Sequence, residues 1–267
     1  MTWPVLVFDI ESIPDVAGLR ALGHDGTDAS GAPLKDPEVL QRYLAERAAE
    51  GKSDFMPLHL QRILVISCVF RNAEGLRVHS FVDREADGQS QEARLIQGFF
   101  GSIEKHVPQL VSWNGAGFDI PVLNYRALRY GLAAPKFWDL GEDDRDFKWN
   151  NYIGRYHMRH LDLMDLLSLY QPRASAPLDA MAKLCGFPGK LGMDGSAVYP
   201  AYLDGGLEEI RRYCETDVMN TYLLYCRFQK LRGGFTESEY DTEVQHVREF
   251  LSGIDEPHWR EYLEAWR

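Results

Sequence analysis

A chain of 267 residues with 45% hydrophobic content can bury a full α/β core, and single domains of this size are common, so length and composition by themselves exclude little. No window of some eighteen apolar residues is present, and Met1-Thr2-Trp3-Pro4 runs straight into an apolar strand pattern, so neither a membrane span nor a signal peptide is expected. The net charge of −11 argues against a protein that grips long duplexes by neutralising many phosphates.

The first expected element is a strand over residues 4–10, built on Val5-Leu6-Val7-Phe8 and followed by Asp9 and Glu11. Residues two apart on a strand share a face, so both carboxylates project to one side of an otherwise apolar sheet. Two like charges there are costly unless a cation neutralises them or water reaches them. An oxygen-only donor set suits magnesium or manganese better than zinc; a solvated strand end or an ion pair would use the same residues. Between Ser12 and Leu60 stands an insert, at about 13–60, with a helix expected from Asp36 to Glu50. It is read either as a lid or clamp beside a site or as an outer packing layer.

Strands are expected near 62–71 and 76–82, then a helix over 90–106 and a strand from Gln109 to Trp113. Asn114-Gly115-Ala116-Gly117 breaks that strand, and a helix follows from Phe118 to Leu132 with Pro121 in its first turn. Asp119 therefore sits at a strand-to-helix junction, as a ligand or as an acid favoured by the helix dipole. From Arg145 to His160, Phe147, Trp149, Tyr152 and Tyr156 alternate with Lys148, Arg155 and Arg159. That pattern fits stacking on unpaired bases, or rings packed on the core.

His160 and Asp162 could form a metal pair, but Asp162 also precedes Leu163–Tyr170 in the position of a helix cap. Asp143 and Asp144 read as solvated surface. A helix is expected from Pro177 to Cys185, followed by Gly186-Phe187-Pro188-Gly189-Lys190, which lacks the pattern of a phosphate-binding P-loop. Lys190 is left at most a contact for a phosphate backbone. In the long amphipathic stretch from Leu207 to Arg232, Tyr213 and Asp217 are four apart and share a helical face. Cys68, Cys185, Cys214 and Cys226 form no Cys-x-x-Cys pair, which suggests reduced thiols and a cytoplasmic location.

Taken in order, Phe8-Asp9-Ile10-Glu11, Asn114-Gly115-Ala116-Gly117-Phe118-Asp119 and Tyr213-Cys214-Glu215-Thr216-Asp217 resemble the three motifs of the DEDD superfamily of 3′–5′ exonucleases, in its tyrosine branch. The flanking words, with His160-Leu161-Asp162-Leu163-Met164-Asp165, are similar to predicted exonucleases related to the proofreading domain of family B DNA polymerases, over nearly the whole chain. The resemblance implies a ribonuclease-H-like α/β fold, a mixed sheet flanked by helices, in one domain over residues 1–267. It implies hydrolysis at the 3′ end of single-stranded DNA or RNA by two divalent cations, Mg²⁺ or Mn²⁺, releasing nucleoside 5′-monophosphates.

By the same resemblance, Asp9, Glu11 and Asp217 would hold one cation, Asp9 and Asp119 the other, and Tyr213 would orient the attacking water. Asn114, Phe118, Trp149 and Tyr152 are the expected substrate contacts. Two alternatives remain in view: a catalytically inactive module that binds nucleic-acid ends or a protein, and a hydrolase of short oligonucleotides. No residue identifies a 2′-hydroxyl reader, so DNA and RNA are not separated.

Overall fold

The computed structural model describes residues 4–84 and 91–266. The expected leaderless start at Met1–Trp3 and the expected helix start at residue 90 lie outside them. No helix among the described residues is long and apolar enough to cross a membrane.

In chain order the elements are β1 (Val5–Pro14), α1 (Val16–Ala21), α2 (Asp36–Ala49), β2 (Gln61–Asn72), β3 (Gly75–Val82), α3 (Glu92–His106), β4 (Gln109–Ser112) and α4 (Asp119–Tyr130). There follow α5 (Pro135–Trp138), β5 (His160–Asp162), α6 (Leu163–Leu167), α7 (Leu178–Leu184), α8 (Val198–Leu203), α9 (Leu207–Leu231), α10 (Glu237–Ser252) and α11 (Pro257–Ala265). The strands form one mixed sheet in the order β3-β2-β1-β4-β5. β1–β2 and β2–β3 are antiparallel, whereas β1–β4 and β4–β5 are parallel. This is the α/β sheet flanked by helices that the sequence led us to expect.

Strand alternation divides the core between the two faces of the sheet. Val5 and Val7 of β1 join Val69, Val111 and Leu161 against α9, where they meet Val218, Tyr222 and Cys226. Leu6, Phe8 and Ile10 point the other way, onto Leu95, Phe99 and Ile103 of α3 and Val122 and Leu123 of α4. The middle of each face is apolar, as expected for central strands buried on both sides.

β1 is longer than expected. Its pairing with β2 shifts between Glu11 and Ser12, and the strand then resumes as far as Pro14 opposite Gln61. Such a bulge bends the strand and re-aims neighbouring side chains without ending the ladder. The insert after it closes a small core of its own: Val16, Leu19, Val39, Leu40, Met56 and Leu60 pack together with Tyr199 beside them.

α10 and α11 were not among the expected elements. Thr236 and Glu239 form a capping box that starts α10. Tyr240, Val247, Leu251, Trp259 and Tyr262 from the two helices then cover the outer side of α9. α9 is thereby buried on nearly all sides, and its polar residues are held in fixed surroundings.

Candidate active site

Because alternation puts Val5 and Val7 on the α9 face, Asp9 and Glu11 fall on it too. α9 presents Tyr213, Cys214 and Asp217 to that strand end. Cys214 Sγ lies 3.5 Å from the Asp9 carbonyl and 3.6 Å from Asp9 Oδ2. Asp9, Glu11 and Cys214 each place a donor atom within 4.8 Å of the others.

Asp119 arrives from the next parallel strand through a closely fitted turn. β4 ends at Ser112, and Asn114 takes a left-handed conformation with φ of 65°. A Cβ on Gly115 would stand 2.3 Å from Ser112 Oγ, and one on Gly117 2.6 Å from Asn114 Oδ1, so the turn has no room for larger residues there. Asp162 holds it from β5, accepting the N–H groups of Asn114 and Ala116 at 2.9 Å each. Asp119 opens α4 and is 4% exposed. Its Oδ1 accepts the backbone N–H of Ile10 at 3.1 Å, tying this junction to β1 between Asp9 and Glu11.

Asp162 also accepts the N–H of Asp165 at 3.2 Å, the capping role open to it in the sequence. His160 Nε2 pairs with Ser112 Oγ at 2.9 Å, and burial pushes the imidazole down to about 4, so it stays neutral. Both residues brace the turn that delivers Asp119.

Lys190 was underrated in the sequence. Its ammonium stands 2.7 Å from Asp217 Oδ2 and donates to the Tyr213 hydroxyl. The preceding Gly189 has φ of 73°, and its peptide is clamped by Asn220 of α9: Gly189 N–H donates to Oδ1 at 3.2 Å and Asn220 Nδ2 donates to Gly189 O at 2.9 Å. Tyr262 of α11 donates to the same Oδ1 at 2.8 Å. The backbone N–H of Lys190 donates to Asp179 at 2.7 Å. The loop is thus fixed to the helix that carries Asp217.

These charges perturb one another. Burial, then the charges of Asp119 and Asp217, raise Asp9 well above the usual carboxylate range, with Lys190 opposing. Glu11 is raised likewise by burial, Asp9 and Asp217. Burial pushes Asp119 up to about 7 against the hydrogen bonds it accepts. Asp217 is raised by burial, and Lys190 works against that shift. For Lys190 burial alone would lower the pKa, but Asp217, Asp9 and Glu11 outweigh it and the ammonium is stabilised. Tyr213 and Cys214 are both pushed up, first by burial and then by the neighbouring carboxylates, so phenol and thiol remain neutral.

The residues fit a hard divalent cation. Buried like charges are costly until something neutralises them, and Lys190 brings a single positive charge to Asp217, Asp9 and Glu11. Asp217 Oδ1 is buried without a hydrogen-bond partner among the described residues. The donors are carboxylate oxygens, and the protonated thiol of Cys214 is a hydrogen-bond donor to Asp9 rather than a soft thiolate ligand.

Asp9, Asp217 and Lys190 line a cavity of about 1100 Å³, together with Asn114, Arg155 and Tyr170. The expected substrate contacts divide. Asn114 is exposed on this cavity. Phe118 is half-buried, packs toward α3 and α4, and has its ring 5.9 Å from that of Phe55. Trp149 is 78% exposed, with Lys148 Nζ over its ring at 5.4 Å. Tyr152 requires correction as a stacking residue: it is 2% exposed, stacks on Phe137 at 5.7 Å and donates its hydroxyl to Pro108 O at 2.7 Å. The packing alternative describes it, because its ring and hydroxyl are both committed to the core.

Residues 53–266 match a family described as predicted 3′–5′ exonucleases related to the exonuclease domain of PolB. The chain belongs to this family. The solved family B DNA polymerase of the hyperthermophilic archaeon Pyrobaculum calidifontis resembles it in fold, with 20% identity and a TM-score of 0.50. That likeness covers 83% of this chain but only 24% of the polymerase. A zinc-bound complex of E. coli ExoI with ssDNA is more distant, at 14% identity and a TM-score of 0.34, over 85% of this chain and 44% of that one. No curated protein matches the sequence.

Proposed function

We propose that this family member is a metal-dependent 3′–5′ exonuclease acting on single-stranded nucleic acid, with Asp9, Glu11, Asp119 and Asp217 as the metal ligands. The observation that carries this reading is the gathering of the buried Glu11, Asp119 and Asp217 and the half-buried Asp9 at two neighbouring strand ends and one helix, with the Lys190 ammonium beside three of them. Divalent cations held there would supply activation of water and neutralisation of charge for in-line displacement at a phosphodiester. The chain's own residues supply orientation. Tyr213, kept neutral, can position the attacking water one helical turn before Asp217. Lys190 offers positive charge to the scissile phosphate in a site that is otherwise negative. The Ile10 to Asp119 hydrogen bond keeps one ligand aligned with the strand that carries two others.

The test is a ladder assay with 5′-labelled single strands of DNA and RNA and the purified chain. Stepwise shortening from the 3′ end with Mg²⁺ or Mn²⁺, release of nucleoside 5′-monophosphates and arrest by chelator are expected. Substrate left intact with either cation would overturn the proposal.

A further inference from the structure

The acid-lined cavity also contains an aromatic unit that the proposed chemistry does not use. After α6 the chain turns through Leu169 and Tyr170, both left-handed, with φ of 51° and 61°. The N–H of Leu169 donates to Leu166 O at 3.0 Å and that of Tyr170 to Asp165 O at 2.7 Å, closing the helix end. Glycine or asparagine meets this requirement at least cost, and bulky side chains are disfavoured there. The turn carries the Tyr170 ring at the end of α6 despite that cost.

That ring is braced. Tyr156, 73% exposed, meets it edge-on with centroids 4.7 Å apart at 84°. The Arg155 guanidinium stands 5.3 Å from its centroid. Arg155 in turn is held by Asp165 through two hydrogen bonds of 2.9 and 2.8 Å. Its charge is thus matched within the chain, so the unit is a rigid platform rather than a cationic grip on phosphate. Tyr170 lines the same cavity as Asp9 and Asp217. With neighbouring strands about 4.8 Å apart, β5, from which α6 continues, lies about 10 Å across the sheet from β1.

We infer that Tyr170, braced by Tyr156 and Arg155, is the stacking subsite for an unpaired base upstream of the scissile bond; this rests on the exonuclease reading. An acidic chain gains little long-range attraction from a strand's phosphates, and base stacking supplies affinity that is independent of sequence.

Single strands carrying 2-aminopurine at successive positions from the 3′ end, added to the intact chain under chelation, test the subsite without cleavage. Quenching is expected at one internal position, lost in Tyr170→Ala and kept in Tyr170→Phe. On cleavable strands Tyr170→Ala should raise KM about 5- to 150-fold with kcat within about twofold. Hydrolysis of thymidine 5′-(p-nitrophenyl) phosphate, too short to reach the platform, should be unchanged. Unquenched strands at every position, or a Tyr170→Ala variant with wild-type KM on oligonucleotides, would overturn the subsite while leaving the nuclease standing. Equal loss on ester and strand, or a lowered melting temperature accounting for the defect, would also overturn it by making Tyr170 structural. A wild-type chain that quenches but cuts neither substrate would support the platform and end the exonuclease reading.

Discussion

The backbone N–H of Ile10 donates to Asp119 Oδ1 at 3.1 Å, joining two segments 109 residues apart. Asn at position 119 can keep this bond and removes a buried negative charge, whereas Ala leaves the amide without its acceptor. Asp119→Asn is therefore expected to hold or gain stability yet lose exonuclease turnover. Asp119→Ala should lose both, with a stability cost of about 1–3 kcal/mol. Urea unfolding paired with the ladder assay separates the two, and normal turnover in Asp119→Asn would remove that residue from the site.

Stability without metal should fall as pH rises. Asp119 has a folded pKa of about 7 against an ordinary 3.8, so the folded chain binds protons more tightly than the unfolded one. That contribution is complete below the unfolded value and is lost as pH passes through the folded one; Asp9, Glu11 and Asp217 shift in the same direction. Asp15, Glu215 and Glu243 act oppositely: despite burial, Arg126, His258 and Arg71 among their partners hold them below their ordinary values. Their contribution is already present above about pH 5. In chelator the melting temperature should decline from about pH 5 to pH 8, and Mg²⁺ or Mn²⁺ should raise it more at the upper end. A flat profile in chelator would contradict the raised carboxylates.

Tyr213→Phe keeps the ring in its packed position and deletes only the hydroxyl that meets Lys190. Turnover should drop by roughly 10²- to 10⁴-fold with substrate affinity nearly intact. Full turnover would leave Tyr213 a packing residue.

Two aromatic residues three apart should behave in contrasting ways. Tyr152→Ala opens the core beside Phe137 and Phe147 and should cost about 3–5 kcal/mol, read by urea unfolding. Trp149→Ala, at an exposed ring, should leave stability within about 0.5 kcal/mol. A stable Tyr152→Ala variant would contradict the packing described for that segment.

Asp9 and Glu11 were legible as a pair because strand alternation is local, and the α9 face they share follows from the same parity as Val5 and Val7. Their meeting with Asp119 and Asp217 was reached through the family resemblance, since no periodicity joins segments so far apart. Lys190 was legible only as a possible contact for a phosphate backbone, because its place beside Asp217 and Tyr213 depends on a non-local clamp, Asn220 on the Gly189 peptide. Cys214 was legible as a reduced thiol within a motif, but its approach to Asp9 depends on how α9 packs on β1. Tyr152 and Tyr156 carry the same pattern in sequence, aromatics among cations, and only burial distinguishes a core ring from an exposed one. The β1 extension needed the bulge after Glu11, which shows in backbone pairing alone. α10 had a readable start in Thr236 and Glu239.

The most direct measurement titrates Mn²⁺ into the wild-type chain and Asp9→Asn by calorimetry, with cleavage of a labelled single strand followed in the same preparations. The wild type should bind the cation and shorten the strand from its 3′ end, and Asp9→Asn should lose both together while remaining folded. An Asp9→Asn chain that still cuts, or a wild-type chain that binds no divalent cation, would contradict the carboxylate cluster as the catalytic metal centre.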